Sequence, residues 1–178
     1  MGNSINEQQP EQNHQDLAGA PATAKIKELA EGNACFFCTA ISTNKKFETR
    51  PMTVQKVDEN GALWFLSASD SGQNAEIARD ANVQLLFQGS PHSEFLTLYG
   101  RATISRERQK IDELWSPLYK TWFTEGKDDA RITVIRVDPG EGYYWDTKHN
   151  RMIAFAKMVA GAVVGKTLDD SIEGKLRV

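Results

Sequence analysis

Two stretches of this 178-residue chain carry residue types that could do chemistry together. The first is "TRPMTV", in which Arg50 stands in an otherwise apolar or neutral run and is followed at once by Pro51 and Met52. The second is "WFLSASDSGQNAEIARD", residues 64–80, where the apolar run Leu63 to Leu66 breaks into Ser67, Ser69, Asp70, Ser71 and Gly72 before a helical pattern sets in. Amides at a helix start have no carbonyl partner within the helix, and among small residues they can seat an anionic oxygen. A guanidinium adds two parallel charge-assisted donors. If the two stretches lie on neighbouring hairpin strands, Arg50 and the helix start face one anion, and a phosphate suits that donor set. Each feature also has a plain structural account. Arg50 could snorkel to solvent beside an edge-strand proline, and turn and cap formation would explain Ser69 to Gly72 without any ligand.

Cys35 and Cys38, in "ACFFCTAI", have the spacing of a redox dithiol or half a metal site. Their β-branched and aromatic surroundings read as a strand, on which residues three apart point to opposite faces, so the expectation is two inert, half-buried thiols. The histidines, His14, His92 and His149, are scattered.

The elements that must position these residues follow from periodicity. "ATAKIKELAEG" places Ile26, Leu29 and Ala30 at helical spacing, with Gly32 as a C-terminal cap. "ACFFCTAIST" and "FETRPMTVQKVD" flank the turn "NKK", and "ENG" leads into "ALWFLS", which predicts a three-stranded meander. "SGQNAEIARD" reads as a short helix, with Asp70 and Gln73 at capping-box spacing. "NVQLLFQG" and "EFLTLYGRATIS" are two further strands. Ile111, Leu114, Trp115, Leu118, Tyr119 and Trp122 then follow an amphipathic helical period, broken at Pro117 with Ser116 capping a second helix. "RITVIRVDP" and "EGYYWDT" read as strand interrupted at Pro139-Gly140, "RMIAFAKMVAG" as a final strand, and "KTLDDSIEGKLRV" holds too little apolar content to place. Six or more strands in meander order with single inserted helices predict an antiparallel β-barrel decorated by helices.

With 40% hydrophobic and 25% charged residues the chain has the composition of one ordinary globular domain. Glu7, Glu11 and Asp16 lie in a Gln/Asn-rich start without Lys or Arg and carry the whole net charge of -3. That start reads as a disordered arm over residues 1–21. The remaining charges balance, which gives no electrostatic reason to expect a nucleic acid. No apolar run is long enough to span a bilayer, and the opening lacks the apolar core of a secretory signal, so the expected address is the cytoplasm.

The motifs "ETRPM", "LWFLSASDSGQNAEI", "DELWSPLYKTWFTEGKDD" and "YYWDT", in that order over roughly residues 24–160, resemble the general stress protein 26 group of the pyridoxamine 5'-phosphate oxidase-like flavoproteins. The resemblance implies a mainly β fold, an antiparallel six-stranded FMN-binding split barrel with peripheral helices, over residues 22–165, followed by a tail at 166–178. It implies a homodimer with FMN (or FAD) in each of two clefts between subunits. Carried over by position, Arg50 would contact the phosphate, with Pro51 and Met52 beside the isoalloxazine ring. Phe65, Leu66 and Ser67 would line the flavin, Ser71, Gly72 and Gln73 would sit at the phosphate, and Trp145 would approach from the partner subunit. The implied function is a flavin-dependent oxidoreductase of unknown substrate. The alternatives are a non-catalytic flavin-sequestering stress protein, or a barrel that has lost its cofactor. No residue is singled out as catalytic, and none as a metal ligand.

The departures are informative. Oxidases of the superfamily carry a Lys where this chain has Gln55, and a Lys or Arg where it has Gln73. Each missing charge-assisted bond costs on the order of 1.5–3 kcal/mol, roughly ten- to a hundredfold in affinity. Pyridoxine-phosphate oxidases also place His and Arg where "RMIAF" has Ile153 and Phe155 after Trp145 and Arg151. The expectation is weak flavin binding without vitamin B6 oxidation.

Overall fold

The structure, a computed structural model, describes residues 13–42, 46–91, 93–148 and 170–178. The apolar runs become strands of one sheet. β2 (Ala34–Thr39) and β3 (Glu48–Thr53) pair antiparallel, with Phe37 opposite Arg50 and Phe36 opposite Pro51. The chain breaks strand geometry at Val54 and Gln55, then resumes as β4 (Lys56–Val57), which pairs with β5 (Leu63–Ala68). β6 (Asn82–Gln88) lies between β2 and β7 (Phe95–Ser105), and β7 pairs along its whole length with β8 (Ile132–Thr147). β5 pairs with the first half of β8. The pairs close into a six-membered ring when β3 and β4 are counted as two halves of one split strand.

Phe37, Phe65, Leu85, Leu98 and Ile135 fill the ring, with Ile26 and Leu29 of α1 (Ala20–Ala30) packed on them. Gly32 adopts a φ of 74° just past α1, the left-handed conformation that glycine tolerates without strain. β5 is buried on both faces: Leu63 and Phe65 enter the main core. Trp64 and Leu66 join a second cluster with Ile111 and Leu114 of α3 (Arg108–Leu114) and with Phe123. The helical pattern breaks at Pro117 as expected, and Ser116 Oγ accepts the Leu118 amide. The next turn, Pro117–Thr121, is 3-10 rather than α.

Four expectations are corrected. β3 and β5 are not bonded neighbours, because β5 inserts beside β8 and the meander is cut at Val54 and Gln55. "RITVIRVDPGEGYYWDT" gives one strand across Pro139-Gly140, since an irregularity in the ladder beside Tyr99 and Gly100 absorbs the extra residue. The described residues hold nine strands, not six. The additions are the split at β4, β9 (Ser171–Arg177) beside the second half of β8, and β1 (Leu17–Ala18), parallel to β9. Within the stretches expected as arm and tail, Leu17–Ala18 and Ser171–Arg177 are strand, and His14 makes an isolated bridge to Glu173. The putting together of β1 and β9 rests on close backbone contact, because a Cβ on Gly174 would meet the Gln15 carbonyl oxygen at 1.8 Å. The "RMIAFAKMVAG" strand, with Arg151, Ile153 and Phe155, lies outside the described residues, as do residues 1–12, His92, His149 and most of the "NKK" turn.

Both thiols are buried, at 4% and 1% exposure for Cys35 and Cys38, rather than half-buried. Burial, with a smaller contribution from the neighbouring Cys38, pushes the Cys35 thiol up to about 12. Because both sulfurs are shielded from reagent, neither cysteine should react with Ellman's reagent at pH 8 in the native protein, and both should react in guanidinium chloride. Rapid native labelling would contradict this burial.

Candidate functional site

The site forms where β3 meets the start of α2 (Gly72–Arg79). Register puts Arg50 on the face of β3 that carries Phe37 and Thr39 of β2, and Pro51 on the opposite face with Phe36. Arg50 thereby reaches α2: a Cβ built on Gly72 would lie 3.3 Å from Arg50 Nη2. The structure brings Arg50, Ser71, Gly72 and Gln73 into one place, although the hairpin expected to do so is not what does it.

α2 is capped by Ser71, whose Oγ accepts the Asn74 amide at 3.2 Å, one residue later than the expected Asp70–Gln73 box. Asp70 stays exposed. The two helical amides before Asn74, those of Gly72 and Gln73, precede the first intrahelical bond and stand as donors at the helix start. The Gln73 side chain is 3% exposed, and its Nε2 has no hydrogen-bond partner. A buried, unbonded amide donor is costly unless something accepts from it.

α2 is held in place by a closed set of buried bonds. Ser67 Oγ donates to Asn74 Oδ1 at 3.0 Å, Asn74 Nδ2 donates to Thr133 Oγ1 at 2.9 Å, and Thr133 Oγ1 donates to the Ser67 carbonyl at 3.1 Å. β5, α2 and β8 are thus tied at one point. Ser67 is a scaffold residue here.

The largest addition to the sequence reading is Glu76. Arg50 Nη1 and Nη2 donate to its two oxygens at 2.6 and 2.8 Å, and Thr39 Oγ1 donates to Oε2 at 2.5 Å. These bonds hold the Glu76 carboxyl below its ordinary range, and the carboxylate in turn raises the Arg50 guanidinium. The side chains of Arg50 and Glu76 are 32% and 20% exposed. The helical repeat was the available signal, because Glu76 lies four residues after Gly72 on the same face. Thr39, Asn74 and Thr133 carried no comparable mark.

The other expected site residues are dispersed. Phe65 is fully buried against Phe37, with ring centroids 5.1 Å apart, and Leu66 belongs to the second cluster, so β5 offers its backbone there rather than these side chains. Met52 packs on the main core. Gln55 accepts from the Tyr119 hydroxyl and donates to the Thr53 carbonyl, so both its polar atoms are engaged away from α2. Trp145 is on β8, four strand positions from β3 by way of β7, β6 and β2, on the order of 19 Å along the sheet. It lines an outer-face groove of about 420 Å³ with Phe36, Leu86, Phe95 and Tyr99. Within one chain it does not reach the Arg50 site.

The donor set of guanidinium and helix amides fits an anionic oxygen group, with one carboxylate already in place. The family described as "Pyridoxamine 5'-phosphate oxidase like" matches the sequence over residues 21–169. Protein bli-3 of Neurospora crassa is 24% identical over 127 residues, 66% of this chain and 61% of the relative, so the chain spans less than two thirds of that protein. Among solved structures, one described as a general stress protein 26 from Jannaschia sp. CCS1 has a TM-score of 0.73 at 19% identity, over 90% of this chain and 100% of the other. The general stress FMN/FAD binding protein from Xanthomonas citri has a TM-score of 0.55 at 23% identity, over 66% of this chain and 82% of the other. At such identities the structures show a common split-barrel fold, and the family match extends over most of the sequence. The chain belongs to the pyridoxamine 5'-phosphate oxidase-like family.

Proposed function

We propose that the protein binds FMN as a homodimer and serves as a flavin-dependent oxidoreductase. The carrying observation is Arg50 standing over the first turn of α2, with Nη2 3.3 Å from a Cβ built on Gly72, so that a guanidinium and the Gly72 and Gln73 backbone amides converge at one place. In this reading the Gly72 and Gln73 backbone amides and Arg50 hold the flavin phosphate. The backbone of β3 and β5 borders the ring. Bound flavin supplies the electron-transfer chemistry, while the protein orients it and limits its access to water. FAD is the alternative ligand to be compared.

Dimerisation has its own support. Phe36, Leu86, Tyr99 and Trp145 are exposed at 57%, 37%, 43% and 41% on one outer face, an apolar surface that a second copy would cover. Pro51, opposite Phe36, borders that face. A two-fold arrangement lets the Trp145 of one copy approach the β3 of the other, which no folding of a single sheet allows.

A second reading has one observation in its favour. The two ionisable side chains at the seat, Arg50 and Glu76, neutralise each other, so neither offers a proton near neutral pH. That suits a protein that holds flavin without turning it over. The test for both is an absorption spectrum of purified protein with added FMN, before and after anaerobic NADH or NADPH, together with the solution mass. The expected result is a flavin spectrum at twice the chain mass, bleached by reduced nicotinamide and restored in air. Bound flavin that resists bleaching selects the holding reading; no flavin uptake, or a single-subunit mass, rejects the proposal.

A further inference from the structure

Family resemblance draws attention to the cations that this seat lacks; the structure shows an anion that it has. Glu76 meets Arg50 face to face through both oxygens and is fixed from a third side by Thr39. Arg50 Nη1 lies 3.4 Å from Thr39 Oγ1 as well, so the guanidinium, the carboxylate and the hydroxyl form one unit. This unit stands over the first turn of α2, within van der Waals reach of Gly72.

We infer that Glu76 is a specificity-determining residue. As the resident counter-carboxylate of Arg50 it leaves the seat without net charge, and so sets how far the protein distinguishes a phosphate-bearing flavin from a phosphate-free one. The inference rests on the flavin reading above. Its logic is that the Nη1 and Nη2 hydrogens given to Glu76 are not open to an incoming phosphate, which meets at most the Nε edge of the guanidinium. A phosphate entering here meets neutral donors, namely the helix amides, and a guanidinium whose charge is already matched. A carboxylate held this close also repels a dianion. Gln55 and Gln73 add no charge to offset it.

The wild-type protein should therefore prefer FMN over riboflavin by less than about tenfold, the scale of neutral hydrogen bonds. Glu76→Gln keeps the size of the side chain and its acceptor oxygen but removes the charge, and should widen that preference by about tenfold or more. Both ratios are read from the quenching of flavin fluorescence on titration with protein, with circular dichroism confirming that the variant is folded. An unchanged ratio in Glu76→Gln overturns the inference. So does a wild-type preference above about a hundredfold, which decides the matter even if the variant fails to fold. Binding of neither flavin by either protein removes the flavin reading and this inference with it, a result distinct from binding with an unaltered ratio.

Discussion

Replacing Arg50 with alanine is expected to raise the dissociation constant for FMN by roughly ten- to a hundredfold while changing that for riboflavin less than about threefold. The size of the effect comes from what remains. Arg50→Ala removes the cation that pairs with Glu76 and leaves that carboxylate, still bonded by Thr39, beside the α2 start. A contact with a charged group amounts to about 1.5–3 kcal/mol, and here the phosphate meets an unmatched carboxylate in place of a neutralised pair. Riboflavin carries no phosphate and is affected only through packing. The weak wild-type preference for FMN should thus invert. In the double variant Arg50→Ala/Glu76→Gln, which lacks both charges, the two flavins should return to near parity. Fluorescence titration of the single and double variants checks this, and equal loss of both flavins in Arg50→Ala would place the phosphate elsewhere. Because both side chains are partly exposed, the pair adds little to folding stability, and Arg50→Ala should unfold close to the wild-type temperature.

The largest loss of stability is expected from Asn74→Ala. Its side chain, 6% exposed, joins Ser67 on β5 to Thr133 on β8. Truncation removes both bonds and leaves a small cavity, at about 1 kcal/mol for each of the three, while Ser67 Oγ keeps its contact with Ser71 Oγ at 3.3 Å. Thr133 Oγ1 keeps its bond to the Ser67 carbonyl, so a total of about 3 kcal/mol is the expected loss, a fall of roughly 6–12 °C in Tm for a chain of this size. Thermal unfolding followed by circular dichroism measures it. A shift below about 2 °C would mean that α2 is held by Ile77 and the rest of the core rather than by this polar tie.

The contrast between what could be read and what could not has a physical basis. The strands of the ring were legible because they are buried on one or both faces, and burial forces apolar residues into period two or into continuous runs such as "LWFL". Arg50 was legible as a polar residue out of place in such a run. The capping residue was misplaced by one, from Asp70 to Ser71, because both have capping chemistry and only the local backbone decides between them. β9 was missed since "SIEGKLR" alternates weakly, and one of its inward positions is glycine, chosen for backbone approach rather than for burial. Glu76 and Thr39 belong to segments far apart in the chain, so their meeting is a property of the tertiary fold that no local pattern records.

The edge formed by β1 and β9 has a consequence for how the protein is made. Leu17 pairs with Leu176, and the Gly19 amide donates to the Arg177 carbonyl at 2.9 Å. The segment that bears Leu17 and its strand partner are far apart in sequence, so the intervening chain, which builds the whole barrel, must exist before they can pair. Closing a loop that long carries a large entropic cost before any contact repays it, so this outer ladder should form late in folding, after the barrel it borders.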